Sequence, residues 1–357
     1  MQKERQSDMG LKLYQEQAKR NRLILAGLLS LTLFFAMYFS VWGMGIPMWK
    51  VGTALLHWYE NTWQTGTEAG IDKVLLLLRL PRICLAFVAG AGLAGAGAIM
   101  QSITRNYLVS PFTLGISSAA AFGAALYIVL LSAAETTSEY GMIFCAFCAS
   151  VLCGILVYMI AQRLGLRPTS LVLIGIALNY FFSASTSVLE FFAQEHKLEN
   201  VVQWTFGTLN RASWSSVGVT VGVVVIGVLL LLWYRLQFNA IAANDDESVR
   251  SLGVNPLRLR SIGGMISIFI TATIISFTGV IGFIGLIAPH MARLLVGNDH
   301  RFYLPAACIL GAFLLLVADT AGRFILSPVT IPVGIVISFL GVPLFIYLIL
   351  LKGKNLR

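Results

Sequence analysis

Charge is what this chain has least of. Of its 357 residues only 11% are Asp, Glu, Lys or Arg, against 57% hydrophobic, and the mean hydropathy is +0.82. A soluble domain of this length carries roughly a quarter charged residues, so a water-soluble globular fold is excluded. Histidine is scarce and dispersed: His57, His196, His290 and His300 form no cluster with Asp, Glu or Ser inside the apolar runs. That removes the constellation an intramembrane enzyme needs. Adjacent spans also lack the several ionisable groups a proton relay requires, which argues against an ion-coupled secondary transporter. The five cysteines lie mostly within apolar runs and give no disulfide framework. Cys145-x-x-Cys148, with Cys153 following, has no neighbouring His or carboxylate to complete a metal site. A Gly-x-x-x-x-Gly-Lys-Ser/Thr phosphate loop is missing, so any use of ATP by that route belongs to another subunit. Gly90-x-Gly92-x-x-Gly95 mimics a dinucleotide fingerprint but has no preceding strand and no acidic partner downstream. Small residues there serve close helix packing in lipid instead.

What is abundant is long apolar sequence. Ten runs read as membrane spans, near 22–43, 83–102, 114–133, 142–162, 171–193, 215–235, 261–279, 280–296, 303–322 and 332–351. Most are about 20 residues, enough to cross roughly 30 Å of hydrocarbon. The eighth is short. The expected fold class is therefore all-α, a polytopic membrane protein with about ten transmembrane helices. With the N-terminus inside, 18 of the 25 basic residues fall in inside segments and seven outside: Lys50, Lys73, Arg79, Arg82, Lys197, Arg211 and Arg323. This bias places both termini in the cytoplasm and makes the number of spans even. It also accounts for the net charge of +9 without nucleic acid. Residues 1–21 read as a cytoplasmic N-terminal tail rather than a cleavable signal, because the following run is full span length and lacks a small-x-small cleavage site. Residues 22–357 then form the membrane domain.

One inside loop has a structure of its own. In Leu236–Arg260, LQFNAIAANDDESVRSLGVNPLRLR, Asn244 is a good N-cap and Glu247 completes a capping-box pattern. Asp245, Asp246 and Glu247 favour the positive end of a helix dipole, and Gly253 and Pro256 stop the helix. The pattern predicts a short helix over 245–252, either held against the membrane face or part of a solvated interfacial loop.

The stretch from Gly279 to Arg301, GVIGFIGLIAPHMARLLVGNDHR, reads as an apolar, Gly-rich run that breaks at Pro289-His290, turns amphipathic through Arg293 and ends in a polar cluster. It closely resembles the signature of FecCD-type permease subunits, which belong to ABC importers for iron-siderophores, haem and cobalamin. The likeness runs from about residue 75 to the C-terminus. Arg79-Leu80-Pro81-Arg82 matches the family's basic turn before the second span. QSITRNYLVSPFTLG from Gln101 to Gly115 resembles its Gln-x-x-x-Arg-Asn-Pro-Leu element, with Tyr107 in place of Pro and Ser110 where an acidic residue is frequent. Leu173–Leu178, Gln203-Trp204 through Gly207, and Ile331–Ile349 also fit, although Thr330 replaces the family's usual Glu. The 236–260 loop is similar to the family's Leu-Asn-x-Leu-x-Leu-Gly-Glu-x-x-Ala-x-x-Leu-Gly-Val pattern, with Asn244 at the place of a usual Gly.

The resemblance implies a type II ABC importer permease fold. It implies a second permease subunit, most simply in a homodimer, two ATP-binding subunits, and an extracytoplasmic substrate-binding protein. ATP and Mg would sit on the ATPase, and this chain would bind no cofactor and no metal of its own. The site would be a bacterial or archaeal cytoplasmic membrane, and the cargo a metal chelate, first of all a ferric siderophore, with haem or cobalamin as alternatives. It assigns coupling to the ATPase to Asn244, Asp245, Asp246, Glu247, Arg250, Leu252 and Gly253. It assigns docking of the binding protein to Arg79, Arg82 and Arg323, whose planar guanidinium groups suit carboxylates. A cytoplasmic gate would involve Asn106, Leu108, Thr169 and Ser170; Thr169 and Ser170 also suit an N-cap for the fifth span. Asp319, four residues before Arg323, is spaced for a helical ion pair with it. Glu190 falls in the outer part of the fifth span, near the interface.

Overall fold

The computed structural model describes residues 2–42, 47–59, 67–132, 138–327 and 329–354. Among these residues the chain is helix and connecting turn, without strand. In order the helices are α1 (Gln2–Val41), α2 (Trp49–Tyr59), α3 (Thr67–Val74), α4 (Leu80–Thr104), α5 (Ile116–Leu126), α6 (Glu139–Arg163), α7 (Pro168–Phe192), α8 (Glu195–Thr205), α9 (Trp214–Trp233), α10 (Arg235–Ala243), α11 (Asp246–Ser251), α12 (Pro256–Thr278), α13 (Ile284–Val296), α14 (His300–Phe324) and α15 (Val333–Lys354). The ten apolar runs correspond to α1, α4, α5, α6, α7, α9, α12, α13, α14 and α15. Seven described segments are long and apolar enough to cross a membrane; Ile116–Leu131, Ile284–Val296 and Val333–Tyr347 are the shorter apolar helices.

Three boundaries differ from the sequence reading, each for a backbone reason. Residues 2–21 are helical and continue into the first span as α1 without a break. The segment Arg79–Arg82 is not a turn. A wide π-type turn, Leu75–Arg79, joins α3 to α4, with the amide of Leu80 donating to Leu75 O. Pro81 cannot donate to the carbonyl four residues back, and the widened turn absorbs that defect. The eighth span does not break at Pro289 either; α13 passes through it. The non-helical part lies earlier, at 279–283, where Gly279 (φ +69°) and Phe283 (φ +63°) leave the helical region. The 13 residues of α13 cover about 20 Å, short of the roughly 30 Å of a hydrocarbon core. Irregular backbone survives at membrane depth only when the protein itself satisfies it. Here the amide of Thr208 donates to Thr278 O at 2.7 Å, and Ile281 is fully buried. Pro289 frees the carbonyl of Gly285, and the side-chain amide of Gln101 lies 3.5 Å from that oxygen.

α4 is the central helix, packed on α14, α13, α12, α9 and α1. It reaches that position because its small residues admit neighbouring backbone. A Cβ on Gly90 would stand 2.3 Å from Gly311 O of α14, and one on Gly97 only 2.0 Å from Gly285 O of α13. The Gly90–Gly95 stripe is thus a packing surface, as its composition predicts.

Gly97→Ala is expected to lower folding stability in detergent by about 2 kcal/mol through overpacking against fixed backbone. Gly218→Ala, where nothing lies within 4 Å, serves as the neutral control. Equal thermal midpoints for the two variants would contradict this packing.

Candidate coupling and docking sites

The segment between α9 and α12 folds into two short helices. Asn244 does not open the second one; it closes the first. Its amide and its side-chain Nδ2 both donate to Ala240 O, at 3.1 and 3.0 Å. With that side chain committed, the expected Asn244–Glu247 capping box does not form, and Asp245 becomes the N-cap of α11. The helix is accordingly Asp246–Ser251, shorter at both ends than 245–252. Its end follows expectation. Gly253 is left-handed (φ +79°), Val254 N donates to Val249 O at 3.2 Å and Gly253 N to Arg250 O at 2.9 Å. That pair of bonds is a Schellman stop. Val249 is fully buried, whereas Asp245, Glu247, Arg250, Leu252 and Gly253 are exposed. One residue anchors the helix and the others form a free face.

Asp246 is the exception on that face, because it points back into the protein. Arg260, near the start of α12, clamps it with Nη1 to Oδ2 at 2.8 Å and Nη2 to Oδ1 at 2.7 Å. Arg105, immediately after α4, adds Nη2 to Oδ1 at 2.8 Å. Both arginines also hold backbone carbonyls: Arg260 Nε donates to Ile103 O at 3.1 Å and Arg105 Nε to Ile241 O at 2.8 Å. One carboxylate thus ties α11 to the ends of α4 and α12. Arg260 is only 1% exposed, so its charge depends on this partner. Its hydrogen bonds to Asp246, with the nearby Arg105, hold that carboxyl below its usual pKa despite partial burial. Arg105 itself sits at φ +50°, an unfavourable conformation for a side chain with a Cβ. Its bonds to Ile241 and Asp246 keep it there.

A second tie joins α10 to α14. Asn239 Oδ1 accepts from the amide of His300 at 2.8 Å and lies 2.6 Å from its Nδ1. Its Nδ2 donates to Asp299 Oδ1 at 2.9 Å. His300 Nε2 lies 2.7 Å from Ser102 Oγ of α4. Both halves of the segment are therefore fastened to the bundle by side chains rather than by the backbone link alone.

At the opposite end of α4 the three arginines assigned to docking have partners within the chain. Arg79 Nη1 donates to Ser40 O and Trp42 O, at 3.1 and 2.7 Å, and caps the end of α1. Arg82 grips the buried Asp319 through Nε and Nη2, with its shortest contact 2.7 Å, and also bonds Asn210. Arg323 Nε makes the expected helical pair with Asp319 at 3.4 Å. Asp319 is 2% exposed, so one carboxylate serves two guanidinium groups in a cluster of three arginines.

The four residues assigned to a gate by resemblance are less strongly connected. Asn106 Oδ1 accepts from Leu108 N at 3.0 Å and shapes the turn after α4, and Leu108 is exposed. Thr169 and Ser170 lie in the first turn of α7, whose N-cap is Arg167 with Pro168 at the first helical position. They therefore do not cap the helix. α7 meets the loop after α4 one to two turns further on: a Cβ on Gly175 would lie 2.6 Å from Leu114 Cα. Glu190 falls in the last turns of α7, in line with an interfacial place.

Sequence reading missed Arg105, Arg260 and Asn239. Arg105 and Arg260 offered one signal, since both are arginines at the ends of apolar runs with no acidic neighbour in sequence. Their shared partner, 141 and 14 residues away, could not be read from spacing.

Asp246→Asn is expected to reduce stability by about 2 kcal/mol, below the 3–5 typical of a broken buried pair because Asp246 is partly exposed. The sign of its pH dependence follows from the depressed pKa. The carboxylate's contribution is complete above about pH 3.9 and is lost as pH falls through the lower folded value. Acid titration of the thermal midpoint below pH 5 should therefore be shallower in Asp246→Asn than in the parent chain. Parallel titrations would contradict the clamp.

Residues 23–351 match the FecCD transport family. The hemin transport system permease protein HmuU of Yersinia pestis is 35% identical over 83% of this chain and 89% of its own length. The iron(3+)-hydroxamate import system permease protein FhuG of Bacillus subtilis is 32% identical over 94% of this chain and 99% of its own. A solved inward-facing structure of a metal-chelate type ABC transporter superposes with a TM-score of 0.80 at 30% identity, covering 92% of this chain and 99% of that one. With its multi-span helical bundle, short paired helices at one face and arginine cluster around the buried Asp319 at the other, this chain belongs to the FecCD transport family.

Proposed function

We propose that this permease is the membrane-spanning subunit of a binding-protein-dependent ABC importer for a metal chelate, with a ferric siderophore the first candidate. The relatives' names include hemin and hydroxamate systems, and haem or cobalamin would use the same architecture. Two copies would enclose the path, and two separate ATPase subunits would bind and hydrolyse ATP with Mg on the cytoplasmic face. The observation that carries this reading is the Asp246 clamp. A helix of six residues cannot hold itself in place in water. Fastened to α4 and α12, it can carry a push from a partner on its exposed face into two spans. On this reading the clamp face is cytoplasmic, both termini are inside, and the membrane is the cytoplasmic membrane of a bacterium or archaeon.

The arginine cluster would then face outward. Three guanidinium groups against one carboxylate leave excess positive charge there, which suits carboxylates on a binding protein. Asn106, Leu108, Thr169 and Ser170 are proposed as the cytoplasmic gate. The ends of α4 and α7 carry these residues, and the first of these helices is tied directly to the clamp.

Ser251→Pro, which removes an amide past the first turn of α11 on its exposed side, is expected to leave the complex with its ATPase assembled. It should lower ATP-driven uptake at least tenfold in liposomes while ATP hydrolysis continues. Uptake at the parent rate would sink the coupling role, and uptake driven by an ion gradient without ATPase would overturn the importer reading. Arg79→Glu is expected to weaken binding-protein docking tenfold or more; unchanged affinity in a pull-down titration would remove Arg79 from that surface.

A further inference from the structure

A cavity with polar and charged lining lies beside the clamp, and no role above uses it. It has a volume of about 410 Å³ and is lined at the ends of α4, α10, α13 and α14 by residues that include Gln101, Arg105, Tyr107, Arg293, Asn298 and Tyr303. The size falls within the range of small-molecule sites.

Arg293 is its unusual member. Among the described residues no carboxylate pairs with it: Nη2 donates to Tyr303 OH at 2.8 Å and reaches Gln101 Oε1 only at 3.4 Å. The guanidinium instead stacks on aromatic rings, with Cζ 3.9 Å from the centroid of Tyr107 and 4.9 Å from that of Tyr303. Its Nη1 is buried and has no hydrogen-bond partner. Buried charged donors are ordinarily satisfied, so the protein has built a rigid cation with a donor left over. Arg105 brings a second guanidinium to the same cavity. Asp299, the carboxylate that also lines it, has Oδ1 engaged by Asn239 Nδ2 and the amide of Arg301.

We infer that this cavity is an anion-binding site for a phosphate group, held by the unpartnered Nη1 of Arg293 with Arg105 as the second cation. A planar guanidinium fixed by stacking suits a phosphate oxygen pair better than a point charge does. The phosphate could belong to an anionic lipid headgroup at the membrane face or to a free phosphate. Because the cavity borders Arg105, which also holds Asp246, occupancy would stiffen the attachment of α11 to α4.

The test uses the purified full chain with two probes. Inorganic phosphate is titrated against chloride at constant ionic strength, with the thermal midpoint as readout. Phosphatidylglycerol and phosphatidylcholine are compared for retention by native mass spectrometry. At least one phosphate probe should bind the parent chain. Binding should weaken tenfold or more in Arg293→Gln, weaken less in Arg293→Lys, and stay unchanged in Arg163→Gln at the exposed end of α6. Asn298→Asp adds a carboxylate at an exposed lining position without touching the stack. It should abolish binding, and it decides the matter if Arg293→Gln does not fold. Response to inorganic phosphate identifies a free anion, and selective retention of phosphatidylglycerol identifies a headgroup. Binding of neither probe, or equal binding by the parent, Arg293→Gln and Asn298→Asp chains, would overturn the site.

Discussion

The structure depends on how closely other backbones approach α4. In lipid there is no hydrophobic drive between helices, so association rests on packing and on backbone contact at small residues. Gly90 and Gly97 let α14 and α13 touch α4 at the level of their carbonyls. The helix thereby becomes a buried strut with fixed ends. One end delivers Arg82 to the buried Asp319, and the other delivers the Arg105 turn to Asp246. The two charged sites are thus opposite ends of one packed element, and the fold positions them without any long-range device beyond that helix.

The two ends use the same chemistry differently. At the Asp319 end the carboxylate is almost fully buried and is shared by arginines that are mostly enclosed. Such a pair fixes geometry more than it adds stability. At the Asp246 end the acid is partly exposed while one of its arginines, Arg260, is fully buried. The exposed helix can lose contact with water or a partner, but the buried arginine cannot leave. That asymmetry holds α11 to the ends of α4 and α12 through a carboxylate whose buried partner cannot follow it into water.

The ten apolar helices were legible because each apolar run is long or bounded by charge. The Schellman stop at Gly253 was legible for local reasons: glycine is the residue that tolerates the left-handed turn. What escaped was decided by distant groups. Asn244 suits either side of a helix boundary, and only the geometry at Ala240 assigns it to the end of α10. Pro289 reads locally as a break, yet α13 continues through it because the freed carbonyl faces Gln101 on another helix. The pairing of Asp319 with Arg323 followed from helical spacing. Its stronger partner, Arg82, stands 237 residues away and could be found only in three dimensions.

On the proposed coupling role, α11 and the end of α4 move as one body under load from the ATPase. Pulsed electron resonance on spin labels at the exposed positions Ser251 and Leu108, with Thr169 as the third label, measures this directly. When ATP is added to the assembled transporter, the 251–108 distance is expected to stay constant while the distance from both to 169 changes. A 251–108 distance that changes while 108–169 stays fixed would contradict it.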